Sequence, residues 1–208
     1  RLLVNTDLSK LCADYLRNHY RQHLNTKLKA THARQLVAAF FGYKSHEALT
    51  FETQHPLIQL EEADILVPNI PLMNTRRSVL KDYPLSLMTS KEQSELLCTY
   101  LSKEGYFGGD VWLYDNLADY LQEVFFIGSD MDIMEALSGV MAETNAEFTD
   151  YPDYTNLTIE DEGNALMVTG SGKYRGRQLE DKMFCGDTID FTIRLRLPRA
   201  GGKAGFYK

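Results

Sequence analysis

Apolar residues recur at helical spacing through the first fifty positions. Leu8, Leu11, Cys12, Tyr15, Leu16 and His19 mark one face of a first helix. Asn5 or Thr6 is placed to cap it, with Asp7 at the positive end of its dipole. The segment Asn25-Thr-Lys-Leu-Lys29 interrupts the pattern. Thr31 is the expected cap of a second helix whose inner face is Ala33, Leu36, Val37 and Phe40. Gly42 stands where a left-handed glycine would end it. Ser45 caps a third helix with Ala48 and Leu49 inward, and His55-Pro56 closes the module.

Residues 57–84 read as a connector with its own small structure. Within it, Ala63–Val67 is a candidate strand or buried segment bounded by Pro68 and Pro71. Three helices are expected over residues 89–144. Thr89 and Glu92 form a capping box for the first, whose face of Leu96, Leu97, Tyr100 and Leu101 ends at Gly105. Asp115 caps the second, which carries Leu117, Tyr120, Leu121, Val124 and Phe125. Ser129 caps the third, with Met131, Ile133, Met134, Leu137, Val140 and Met141 as its apolar residues.

From Ala146 the period changes. Leu157–Ile159 and Ala165–Thr169 read as strands around a turn at 161–164, and Gly170–Arg177 reads as loop. Thr188–Leu197 alternates cleanly, with Ile189, Phe191, Ile193, Leu195 and Leu197 on one face and Asp190, Thr192, Arg194 and Arg196 on the other. Helices first and antiparallel strands over 146–208 predict an α+β protein. The expected division is a basic helical module, residues 1–55, followed by an acidic α+β domain, residues 56–208.

The chain has 208 residues and a net charge of −7. Residues 1–50 hold eight Lys/Arg against three Asp/Glu, a net +5; the remaining fourteen against twenty-six give −12. A basic head on an acidic body predicts an acidic partner, nucleic acid or protein. The residues expected to meet it are Arg17, Arg21, Lys27, Lys29, Arg34, Lys44 and His46. Cys12, Cys98 and Cys185 are scattered without C-x-x-C spacing, which predicts a reducing, cytoplasmic setting. Apolar runs such as Val124–Ile127 are too short to span a bilayer, so no membrane partner is expected. Arg1-Leu-Leu-Val is followed at once by Asn5, Thr6 and Asp7, so this stretch is not read as a secretory signal. The first residue is not Met and the last are Phe206-Tyr207-Lys208, which reads as a fragment or a trimmed chain. The pattern sets no oligomeric state.

Residues 37–49, with Val37-Ala38, Phe41-Gly42-Tyr43, Ser45 and Leu49, resemble a helix-turn-helix of AraC-type regulators. That resemblance implies that Lys44, His46, Glu47 and Thr50 face a major groove. Over residues 10–52, the order Thr31-His32, Leu36, Ala38, Gly42-Tyr43, His46, Leu49 is similar to a small helical module. This module occurs in glyoxalase-related proteins and in hypothetical proteins of mobile elements. It implies an accessory role on a mobile genetic element and no particular site residue.

Candidate chemistry elsewhere is sparse. His19 and His23 have the i, i+4 spacing of two metal ligands, but Cys12 lies about 10 Å further along the helix, so no metal site is expected. Pro152-Asp153 with Glu180-Asp181-Lys182 resembles the pattern of restriction-type nucleases. In those enzymes two carboxylates hold a divalent cation and the lysine orients water. This requires Gln178–Phe184 to form a strand beside Asp153. Gly170-Ser-Gly-Lys173 and Gly201-Gly-Lys203 read as hairpin turns, and neither has P-loop spacing. The reading is a non-enzymatic binding or accessory protein without a cofactor. The alternatives are a metal-dependent nuclease using Asp153, Glu180 and Lys182, and a structural subunit of a larger complex.

Overall fold

The computed structural model describes residues 7–181 and 187–208. Along the chain come α1 (Leu8–His23), α2 (Ala30–Phe40), α3 (His46–Thr50), a 3-10 turn (Leu57–Glu62), β1 (Ile65–Leu66), α4 (Ile70–Val79), α5 (Ser90–Lys103) and β2 (Asp110–Val111). Next are α6 (Leu117–Tyr120), a π-helical stretch (Leu121–Phe125), α7 (Phe126–Gly128), α8 (Asp130–Ala142) and β3 (Ala146–Glu147). The chain closes with β4 (Asp153–Asp161), β5 (Ala165–Arg175), β6 (Arg177–Gln178), β7 (Thr188–Pro198) and β8 (Gly205–Phe206). This is an α+β protein, with its larger antiparallel sheet toward the C-terminal end.

Two compact units divide it: residues 1–115 with 197–208, and residues 116–196. The first unit is built around α2, whose Leu36, Val37, Ala38, Ala39 and Phe40 are all fully buried. The second half of this helix is apolar on every side and has to be surrounded, while Thr31 and Arg34 in the first half are exposed. Here α1, α3 and α4 pack against it. The segment at 57–84 joins this core through Leu60, Leu66, Met73 and Tyr83. The head and the expected connector therefore share one core with α5 and with Ala200 and Ala204.

Buried polar groups in this unit are paired across elements. The Tyr20 and Tyr83 hydroxyls are 3.0 Å apart, and the Gln93 amide donates to both. Arg77, buried on α4, donates to Ser90 Oγ at 3.2 Å and to the carbonyls of Leu85 and Met88. This guanidinium ties down the irregular stretch between α4 and α5, whose Tyr83, Leu87 and Met88 pack on the core. β1 pairs with β2 in parallel and with β8 antiparallel.

The helix ends follow the expected chemistry in part. α5 has the Thr89/Glu92 capping box. Gly42 and Gly105, at φ 86 and 76, end α2 and α5 in Schellman geometry: Tyr43 N–H reaches Ala38 O at 2.8 Å and Tyr106 N–H reaches Leu101 O at 2.9 Å. Asp7 caps α1, accepting from Lys10 N, while Asn5 and Thr6 lie outside the described residues. Thr31 is not the cap of α2: the N-cap is Lys29, two residues earlier, and it makes no side-chain cap bond. Asn116, not Asp115, caps α6. Ser129 stands at the N-cap of α8 but makes no side-chain cap bond, its hydroxyl donating instead to Phe125 O at 2.9 Å.

In the second unit the expected loop at 170–177 is largely strand. β5 runs on to Arg175 because Gly172 leaves room for the Phe191 ring, which would meet an added Cβ at 2.2 Å. β4 and β5 form a hairpin whose turn carries Gly163 at φ 85. A bulge lies between Thr155 and Thr158, with Asn156 at φ 54. β7 lies on the other side of β5, giving the order β4-β5-β7. It keeps the predicted alternation, with Ile189 and Leu197 buried, Phe191, Ile193 and Leu195 half-buried, and the polar positions exposed. α8 departs from expectation: none of its six apolar side chains is buried, and Met131 is 83% exposed.

Candidate functional site

Five of the seven residues expected at the head, Arg17, Arg21, Lys27, Lys29 and Arg34, lie toward one corner, where α1 ends and α2 begins. The link between them is held tightly. Thr26 N–H donates to Tyr20 O, Asn25 adopts φ 47, and Leu28 is buried. Arg17 Nε donates to Leu28 O at 3.4 Å. Anchoring Leu28 inward turns its neighbours Lys27 and Lys29 out to solvent.

The five are not equally available. Arg17 also meets Asp14 at 3.3 Å, and Lys29 pairs with Asp82 at 3.5 Å. Arg21 is exposed and donates only to the neutral Asn18 side chain. Lys27 and Arg34 are exposed and have no partner among the described residues. The C-terminal half-charge of α1 and the N-terminal half-charge of α2 have opposite signs at this corner, so they oppose one another. The field there is set by the side chains. Charge also segregates by compact unit: sixteen Lys/Arg against thirteen Asp/Glu give +3 in the first, and six against sixteen give −10 in the second.

Histidines surround the same corner. The His19 and His23 rings are 4.6 Å apart, and His32 is buried beside Tyr83. Burial, with His23 adding to it, lowers the pKa of His19 below 6.5; burial and the nearby Lys29 lower that of His32. The unfolded chain therefore takes up these protons first. The neutral-state preference costs nothing above about pH 6.5 and progressively destabilises the fold as pH falls through 6.5 toward the lower folded values. Urea unfolding at pH 7.5 and pH 5.5 should show the lower midpoint at pH 5.5. His19→Gln with His32→Gln should flatten that difference.

Lys44 and His46 belong to the opposite end of α2, about 15 Å away along an eleven-residue helix. Lys44 is exposed, and its carbonyl accepts from Arg76. His46 is half-buried, and its Nδ1 has no hydrogen-bond partner among the described residues. α3 is only five residues long. Gly42 at this corner has a packing reason of its own, since an added Cβ would stand 2.9 Å from Lys203 Cβ. Lys203 Nζ lies 5.4 Å from the centre of the Tyr43 ring, and Tyr43 donates to Glu52 at 2.6 Å. Lys203 and Arg76 were not legible as neighbours of this corner, because they lie 160 positions from Tyr43 and 32 from Lys44.

No protein-family model, curated protein or solved structure matches this chain.

The carboxylates of the nuclease pattern occupy different settings. Asp153 opens β4 and pairs with Arg175 at 3.5 Å. Glu180 is exposed in a turn after β6 rather than on a strand, because β6 ends at Gln178. Among the described residues no hydrogen bond or ion pair links Glu180 to Asp153. Lys182 and Cys185 lie outside the described residues. No group of three or more His, Cys, Asp or Glu among the described residues is placed to hold a metal ion. No helix among them is long and apolar enough to cross a membrane. Cys12 and Cys98 are free and buried, and burial pushes the Cys98 thiol up to about 12.

Proposed function

We propose that this is a non-enzymatic binding protein whose helical head holds an acidic partner by charge rather than by reading its sequence. The observation that carries this is the trio Arg21, Lys27 and Arg34. They are exposed, lack an anionic partner among the described residues, and share the corner where α1 meets α2. The likeness of residues 10–52 to modules of mobile-element proteins supports an accessory role on such an element. The two buried free thiols support a reducing, cytoplasmic setting. The exposed apolar residues of α8 favour, as a second reading, a subunit that a larger assembly covers.

The phosphate backbone of nucleic acid is the first partner to test. Three phosphate contacts release about three counterions, so log K should fall against log salt with a slope of about −3. Fluorescence anisotropy on unrelated duplexes between low and physiological salt should give that slope with little dependence on sequence. Arg21→Glu, Lys27→Glu and Arg34→Glu together should abolish binding, while Lys44→Glu should leave most of it. Absence of binding to any duplex at low salt, or equal binding by the triple variant, would reject the reading.

A further inference from the structure

The two edges of the β4-β5-β7 sheet are built differently. β4 is blunted: it carries the bulge at Thr155/Thr158, the left-handed Asn156, and the charges Asp153, Glu160 and Asp161. Such features keep an edge strand from pairing with another chain. β7 carries charges too, Asp190, Arg194 and Arg196, but no residue of left-handed φ. It runs from Thr188 to Leu197 without glycine or proline before Pro198. Among the described residues no strand pairs with its outer side over 188–196.

The direction of its backbone groups follows from two hydrogen bonds. Asp187 O accepts from Gly176 N at 2.7 Å, continuing the β5 side. Alternation then turns the N–H and C=O of residues 188, 190, 192, 194 and 196 outward. At the far end the even-numbered Pro198 does use its carbonyl for a different neighbour, Tyr207 N at 2.9 Å. Nine residues with five outward-facing donor–acceptor sets remain between these points.

We propose that the outer edge of β7 pairs antiparallel with β7 of a second copy of this chain, about a two-fold axis at Thr192. The sequence is self-complementary around that point. Asp190 falls opposite the second copy's Arg194, Phe191 opposite Ile193, Ile189 opposite Leu195, and Thr188 opposite Arg196. Each charge on the polar face meets the opposite charge or a neutral group, and the half-buried apolar residues meet one another. Other centres fit less well. An axis at Asp190 or at Arg194 opposes like charges. One at Phe191 pairs neither. One at Ile193 leaves Arg194 opposite Thr192, whereas the axis at Thr192 brings Arg194 to Asp190, which Lys173 also meets at 3.4 Å. Arg194 is the exposed cation of this strand with no partner among the described residues. The pairing adds about ten backbone hydrogen bonds. The −10 charge of each acidic unit opposes association at long range, but beyond about 8 Å physiological salt screens it, whereas directly opposed pairs keep their attraction. This pairing is independent of what the helical head binds.

The test is native mass and sedimentation of the whole chain at about 100 μM. The unaltered protein should run at twice the mass of one chain. Arg194→Glu faces Asp190 with a second carboxylate and should raise the dimer dissociation constant about a hundredfold. Asp190→Arg alone should also run as a monomer. A mixture of the two variants should recover a one-to-one dimer, because each then offers what the other lacks. A monomeric unaltered protein, an Arg194→Glu protein that stays dimeric, or folded variants that do not recover on mixing would overturn the proposal. If circular dichroism shows that Asp190→Arg does not fold, the comparison of Arg194→Glu with the unaltered chain decides.

Discussion

Phe40→Ala should destabilise the first unit by about 3–5 kcal/mol, the range for truncating a fully buried phenylalanine. Phe40 is completely buried at the last turn of α2, packs edge-on against Phe41 with centroids 4.8 Å apart, and its carbonyl takes the Asn69 N–H that starts α4. Removing the ring opens a hole in the core that α2 shares with its neighbours. The surrounding helices are each held by other contacts, so collapse into that hole is limited and the cost stays near the upper end. The measurement is direct because the chain has one tryptophan, Trp112, which is buried within the same unit. Its fluorescence in urea reports that unit alone. A midpoint unchanged from the parent would mean that α2 is not the hub of this core. Arg34→Ala, on the exposed side of the same helix, is the control and should shift stability by less than about 0.5 kcal/mol.

What the sequence made legible was chemistry that acts within a few residues. The Thr89/Glu92 box, the Schellman glycines 42 and 105 and the alternation of β7 each need only a local pattern, and each is present. What stayed hidden was set by distant partners. Gly170–Lys173 looks like loop because glycine weakens an isolated strand; in the fold, Gly172 is the slot for a ring nineteen positions away. Thr31 looks like a cap, but Leu28 and the Arg17 contact to its carbonyl fix the chain so that α2 starts after Lys29. α8 carries six apolar residues that predict a buried face, yet none is buried; composition shows that a surface is apolar and not what covers it. The candidate site divides in the same way. Arg21, Lys27 and Arg34 lie within fourteen positions and were legible as a group, whereas the separation of Lys44 from them follows only from the direction of α2.

That separation makes Gly42→Ala the sharpest test of what the glycine corner is for. Two costs add. An alanine held at φ 86 costs about 1–2 kcal/mol relative to glycine. Its Cβ would also stand 2.9 Å from Lys203 Cβ, and forcing that contact apart costs about 1–3 kcal/mol more. A double-mutant cycle separates them: in a Lys203→Gly background the steric part vanishes and only the backbone part remains. The coupling between the two substitutions should therefore be favourable and about 1 kcal/mol or more. Nucleic-acid affinity of the folded Gly42→Ala protein should stay within about twofold of the parent, since Arg21, Lys27 and Arg34 lie at the other end of α2. A helix-turn-helix reader predicts the reverse, because moving the corner displaces α3 and with it Lys44, His46 and Thr50. A large loss of affinity at unchanged fold would return the corner to DNA reading. A loss of stability with affinity intact assigns Gly42 to the packing of α2 against the Gly201–Ala204 turn.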